Sequence, residues 1–485
     1  MSYYERLSAQ ASSFLWFEHR NTPMHISAVA ILEAGPLAAA GGGLRIGHLV
    51  KYIESRLDLL PRYRQRLGFT PLADHPVWVD DDAFDLGYHV RHAALPHPGS
   101  DEVLKEWVGR TLEQLLDRER PLWELWIVEG LEGGRFALVS KVHHCMVDGV
   151  AGMNLLTLLM GQEPNEELRA VAPWKPRPPP SALRLLVDSG ARRTRSLGSL
   201  AARAGSALRN PRSTWSRLSV AASAVGEALE AGLHLPAHTT LNRPIGPHRR
   251  VDWLAVDLAA ARAVKQKLGG TVNDVVLAVA CGALHRFFGG REWRARLDYR
   301  VVVPVNMRSP TDVPAEGNRA SARFLSLPVA ESDPLRRYER IRAESERIRA
   351  SRAAEGIDLF IRFADWAGSA GFTAFGVRLA TRLRPYNLIV SNVPGPQFPL
   401  YFSSTRLLAV YPQLPLFEHQ GLGIAVLSYC GRLHFGLVGD REVARDLGRL
   451  CDAIGDAFTE LVETAAAASA RPARPDRSRR AARGA

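Results

Sequence analysis

Between Ala172 and Pro180 the chain reads Ala-Pro-Trp-Lys-Pro-Arg-Pro-Pro-Pro, and no helix or central strand tolerates so many residues that fix φ and lack a backbone donor. The run is a stiff spacer, so what folds before it and what folds after it must each find its own core. A length of 485 residues also exceeds what one hydrophobic core supports. The expected organisation is a domain over 1–171, a Pro-rich and basic helical linker over 172–240, a second domain over 241–465, and an Arg/Ala/Pro tail over 466–485 too polar to fold alone.

Upstream of the spacer, Glu124 to Leu131 and Phe136 to Val142 read as two strands joined by the turn Glu132-Gly133-Gly134. The hairpin delivers His143-His144-Cys145-Met146-Val147-Asp148-Gly149 to a strand end, ahead of a helix with Leu155, Leu156, Leu158 and Leu159 on its apolar side. Histidine is the side chain that most readily takes a proton near neutral pH, provided it is held in one tautomer. Asp148 is placed to help hold it; the alternative is a packed strand histidine beside a turn-forming aspartate. A metal site built on His143, His144 and Asp148 is disfavoured, because adjacent strand residues diverge and no second cluster completes the ligand set. Asp80, Asp81 and Asp82 lack the glycine and distal glutamate of a calcium loop. Cys145, Cys281, Cys430 and Cys451 have no paired spacing, which argues against a disulfide framework, and Cys145 points away from its histidine neighbour.

The net charge of +12 is concentrated in the linker, where Arg184, Arg192, Arg193, Arg195, Arg203, Arg209, Arg212 and Arg217 face the single early acid Asp188. With Leu183, Leu185, Leu186 and Val187 between them, these residues suit an anionic lipid surface or, equally, a solvated helix packed along the domains. Nucleic acid is not expected, since neither a binding motif nor interleaved aromatics accompany the charge. Nothing in the sequence reaches the length of a membrane span, and the N-terminus has no signal-peptide pattern. The expected location is therefore cytoplasmic, with peripheral attachment to the inner membrane surface or to lipid droplets.

His143 to Gly149 resembles the HHxxxDG motif of the CoA-dependent acyltransferase superfamily. Pro23-Met24-His25, Pro61 to Leu67, Arg120-Pro121-Leu122-Trp123, Thr271 to Asp274, Pro304 to Arg308, Gly317-Asn318 and Ser391 to Pro396 narrow the resemblance to the bacterial wax ester synthase / acyl-CoA:diacylglycerol acyltransferase family. It covers Leu7 to about Glu463, and Asn306 stands where the family commonly has serine. The resemblance implies an α/β fold of two similar domains of the chloramphenicol acetyltransferase-like, CoA-dependent type, with mixed sheets flanked by helices and a tunnel between them. It implies His144 as general base, His143 as its support, Asp148 as a structural residue and Gly149 as a loop former. Long-chain acyl-CoA would be the co-substrate and diacylglycerol or a fatty alcohol the acceptor, with no permanently bound cofactor and no metal. Asn273, near a helix N-terminus, is the candidate oxyanion donor, with a plain N-cap as its other reading. Competing functions are a wax ester synthase proper, a carrier-dependent condensation-type acyltransferase, and a non-catalytic lipid-binding relative.

Overall fold

The computed structural model describes residues 4–71, 75–146, 155–170, 173–191, 194, 236, 238–289, 299–306, 320–350 and 386–470. Asp148, Gly149, the linker arginines from 192 to 217, Met307, Arg308, Gly317, Asn318 and the tail from 471 lie outside the described residues.

Alternating apolar residues build a seven-stranded sheet in the N-terminal half, ordered Val90–Ala94, Trp123–Leu131, Arg135–His143, His25–Glu33, Thr405–Gln413, Tyr401–Phe402 and Met160–Gly161. The hairpin forms as its turn chemistry requires. Gly133 and Gly134 have φ of 73° and 64°, a left-handed pair that residues with a Cβ resist. Side-chain alternation then sorts the Arg135–His143 strand. Phe136, Leu138 and Val142 bury against Leu15, Leu49 and Ile53 on one face. Ala137 and Val139 bury against Leu104 and Val108 on the other. Each fully buried large aliphatic contributes about 1.5–3 kcal/mol, so both faces are committed and the register is fixed.

The C-terminal half forms a six-stranded mixed sheet ordered Ala320–Leu327, Tyr299–Asn306, Leu388–Val393, Leu422–Tyr429, Arg432–Asp440 and Arg249–Asp257. Its core draws on the helices Leu258–Leu268, Val272–Phe288, Pro334–Ala350 and Leu447–Ala470.

The two halves are interlocked. Thr405–Gln413, which the sequence places with the C-terminal domain, pairs antiparallel with His25–Glu33 in the N-terminal sheet. The helix Asp101–Glu113 lies against the C-terminal strand Arg249–Asp257, so closely that a Cβ on Gly109 would stand 2.8 Å from the Arg249 carbonyl oxygen. Lys105 pairs with Asp252 at 2.6 Å, and the Glu113 carboxylate accepts from the Arg249 amide at 3.0 Å.

The proline spacer is anchored as well as stiff. Arg177 grips Asp80 through Nε and Nη2, each at 2.9 Å, and Trp174 donates to the Asp81 carbonyl oxygen at 3.0 Å. Burial would raise the Asp80 carboxyl, but hydrogen bonds from Arg177 and Gln65 overcome it and hold the group at about 2. The aspartate cluster is thus the seat of the linker.

Candidate active site

His143 is the last residue of its strand and lies opposite His25 in the neighbouring strand. His144 opens a single 3-10 turn that runs to Met146. The change from strand to turn is enforced by the backbone, because the His144 amide donates to the Met24 carbonyl oxygen at 2.8 Å.

His143 is fully buried, with Nδ1 hydrogen-bonded and Nε2 within ion-pair distance of a carboxylate. Its Nδ1 accepts from the Cys145 amide at 3.1 Å, which puts the ring proton on Nε2. Nε2 stands 3.3 Å from Glu18 Oε1. Glu18 is itself held by the Met24 amide at 3.1 Å and by Arg118, whose Nη2 lies 3.0 Å from Oε2. Burial pushes the Glu18 carboxyl up, yet His143, Met24 and Arg118 together bring it down to about 2. A ring occupied in this way can neither accept a substrate proton nor ligate a metal.

His144 differs in each respect. It is half-buried, and its imidazole stacks on Phe14 with centroids 3.8 Å apart and planes 14° from parallel. Desolvation lowers it to about 4, against a smaller upward effect of a hydrogen bond to its own backbone, so the ring is neutral at pH 7. A neutral imidazole keeps one ring nitrogen with a lone pair free to take a proton.

Cys145 is buried, and its thiol is pushed well above the ordinary range by burial and by Glu18, so it stays protonated. Among the described residues no group of three or more His, Cys, Asp or Glu is placed to hold a metal ion.

In the other half, Asn273 is not the helix cap. Thr271 is the N-cap of Val272–Phe288, in a capping box with Asp274, and Asn273 falls in the first turn with its side chain free of capping duty. Its Oδ1 accepts from Asn392 Nδ2 at 3.5 Å, which orients the amide so that its NH2 points away from Asn392. Asn392 belongs to the segment Ser391 to Pro396, pinned where the Gly395 amide donates to Ser428 Oγ at 3.0 Å. A Cβ at Gly395 would lie 2.3 Å from the Ser428 carbonyl oxygen, so only glycine permits that approach.

Sequence reading missed Glu18, Arg118 and Phe14. Glu18 directly follows the helix Ala9–Phe17, and its spacing from His143 carries no periodic signal. The available hint was an acid and an aromatic close before Pro23-Met24-His25.

Residues 7–276 match the model of the wax ester synthase/diacylglycerol acyltransferase catalytic domain, and residues 316–462 that of the WS/DGAT C-terminal domain. A relative from Mycobacterium tuberculosis that carries the name of a diacylglycerol O-acyltransferase is 34% identical over 95% of this chain and 90% of its own length. Among solved structures, the wax ester synthase/diacylglycerol acyltransferase from Marinobacter aquaeolei VT8 superposes with a TM-score of 0.64 at 25% identity, over 95% of this chain and 100% of that one. The first condensation domain of the calcium-dependent antibiotic synthetase shares the fold, with a TM-score of 0.60 at 18% identity over 97% of this chain and 98% of that one.

Proposed function

The chain belongs to the wax ester synthase/diacylglycerol acyltransferase family, an acyltransferase lineage that uses acyl-CoA, and we propose that it moves a long-chain acyl group onto diacylglycerol with His144 as general base. Wax ester synthesis on fatty alcohols is its side activity. The observation that carries this reading is the contrast between the two histidines, because only His144 keeps a lone pair for a substrate proton.

The chemistry follows from that lone pair. An alcohol is too weak an acid to ionise at neutral pH, so the neutral His144 imidazole takes its proton as the oxygen attacks the thioester carbonyl carbon. The π bond opens to a tetrahedral oxyanion, which the Asn273 amide NH2 stabilises. Collapse of the intermediate re-forms the carbonyl, breaks the C–S bond and expels the CoA thiolate, and the His144 imidazolium returns its proton to sulfur. No acyl-enzyme is needed. His143 with Glu18 sets the turn from which His144 projects, and Asp148 and Gly149 shape the loop that follows.

Lipid contact has separate support. In the helical stretch after the spacer, Leu185 is buried while Leu183 and Val187 are 71% and 60% exposed, and Asp188 accepts from the Tyr4 hydroxyl at 3.1 Å. One face is held by the protein and an apolar face is left outward beside the arginine-rich sequence. Peripheral docking on anionic membrane or droplet surfaces is the reading this favours. No single helix among the described residues is long and apolar enough to cross a membrane.

The test is purified protein given palmitoyl-CoA with a mixture of dioleoylglycerol and hexadecanol. Triacylglycerol should predominate over wax ester. Absence of both products sinks the proposal, and wax ester as the main product moves the acceptor assignment to fatty alcohols.

A further inference from the structure

Four adjacent strands of the N-terminal sheet bring Gln413, Ser27, Lys141 and Glu124 into one row, each opposite the next. The row lies two residues, about 7 Å, from the His25–His143 pair and on the same face of the sheet. That face is turned toward the C-terminal half. Val29 and Val139 on it pack with Val251 and Trp253, and a Cβ on Gly436 would stand 3.0 Å from Gln413 Nε2.

These polar residues are sealed from bulk water, with Gln413 2% exposed, Ser27 6%, Lys141 0% and Glu124 5%. Glu124 is well served, by Trp126 Nε1 at 3.1 Å and Arg91 Nη2 at 3.2 Å. The others are not. Lys141 Nζ stops 3.7 Å from Glu124 Oε2. Neither it nor Ser27 Oγ nor either amide atom of Gln413 has a hydrogen-bond partner among the described residues. His25 adds a fifth such atom, since its Nε2 donates to the Leu112 carbonyl oxygen at 2.9 Å and leaves Nδ1 bare and unpartnered.

Packing alone does not call for this. The next row, Tyr411, Val29, Val139 and Trp126, is occupied by aromatic and aliphatic side chains at the same junction. Buried donors and acceptors without partners are costly, and their concentration in one patch two residues from the His143 strand end, which leads into His144, calls for a polar ligand group that completes them.

Diacylglycerols and fatty alcohols differ in this respect. A fatty alcohol carries no oxygen besides its hydroxyl, whereas a diacylglycerol adds ester carbonyls close to it. An ammonium, a primary amide and a hydroxyl are donors matched to such oxygens. We propose that Lys141, Gln413 and Ser27 form the subsite that hydrogen-bonds the ester carbonyls of a diacylglycerol acceptor and thereby sets the preference for it over fatty alcohols. This rests on the reading of His144 as the base for an acceptor hydroxyl.

The substrate-side test needs no mutation. Wild-type protein with palmitoyl-CoA should use a 1,2-dialkylglycerol, which keeps the hydroxyl and the chains but lacks both carbonyls, at least about tenfold less efficiently in kcat/KM than the matching diacylglycerol. On the protein side, the ratio of kcat/KM for dioleoylglycerol to that for hexadecanol should fall about tenfold in Gln413→Met and about 10- to 100-fold in Lys141→Met, where a charged donor is lost. Equal use of the two glycerolipids, or a ratio unchanged within about twofold in both variants, overturns the subsite even if both activities decline together, since a purely structural role moves them in parallel. Wild-type protein that makes neither product overturns the parent reading as well, which separates the two failures.

Discussion

His144 and Asn273 both stand where a regular element begins or ends, beside backbone groups that need partners, but the two corners are secured at very different range. The start of Val272–Phe288 is satisfied within four residues by the Thr271–Asp274 capping box, which frees Asn273 to meet Asn392. The strand end at His143 is secured by Glu18, 125 residues away in sequence, and through Glu18 by Arg118, 25 residues from His143. Local closure yields a rigid donor at small cost. Long-range closure places charged groups beneath the base, and the turn then depends on their staying ionised.

The largest effect expected from breaking this contrast is at the base itself. His144→Ala should lower kcat by about 10²–10⁴ while the protein stays folded, because the partly buried ring contributes stacking on Phe14 and little else to the core. Steady-state turnover with palmitoyl-CoA and dioleoylglycerol, alongside thermal unfolding, reads both. The acid limb of kcat/KM should also lie near 4 rather than the ordinary 6.5, because the neutral ring is the active form and burial disfavours its protonation. A limb at 6.5 would place the ring in water and remove the desolvated geometry from the mechanism. The same shift makes stability complete above 6.5 and reduced as pH falls toward 4.

Glu18→Ala comes next, and its effect should fall on both stability and rate. It leaves the buried His143 N–H, the Met24 amide and one side of Arg118 without a partner, at about 3–5 kcal/mol for breaking a buried pair. Because the folded carboxyl sits near 2 against an ordinary 4.5, that stability is fully present above 4.5 and is lost as pH falls through 2. Urea unfolding at neutral and acid pH measures it. A variant as stable as wild type would mean the brace is ornamental.

Asn273→Ala should cost about 10²–10³ in kcat with KM and stability nearly unchanged, as for loss of one oxyanion donor. A rise in KM at constant kcat would instead make Asn273 a ground-state contact.

The same difference in range explains what the sequence disclosed. The hairpin, its Gly133-Gly134 turn, the helix start at Thr271 and the strands flanking them are local, and turn chemistry and periodicity announce them. HHxxxDG was visible as a motif, yet the partners that distinguish His143 from His144 were not. Glu18 reaches His143 only because the helix Ala9–Phe17 packs against the turn at His144, and no spacing rule encodes that. Arg177 seated on Asp80 is the same case, since three consecutive aspartates look alike for a metal or for an arginine from a later segment. Thr405–Gln413 reads as a strand, but its place in the other half's sheet is set by edge pairing with His25–Glu33.

The smallest effect should come from the locally closed corner, and it is the sharpest test of the contrast. Thr271→Ala removes the cap from the Asp274 amide, while the Asp274 carboxylate can still accept from the residue 271 amide, now at 2.8 Å. The expected cost is about 1 kcal/mol of stability, with a small fall in kcat as the first turn that carries Asn273 loosens. Asp274→Ala should cost more, because that fully buried carboxylate also accepts from the Thr271 hydroxyl at 2.8 Å. Chemical denaturation of the pair gives the order directly. If Thr271→Ala proves as damaging as Glu18→Ala, then the two corners are equally dependent on their partners, and the division between local and long-range closure fails.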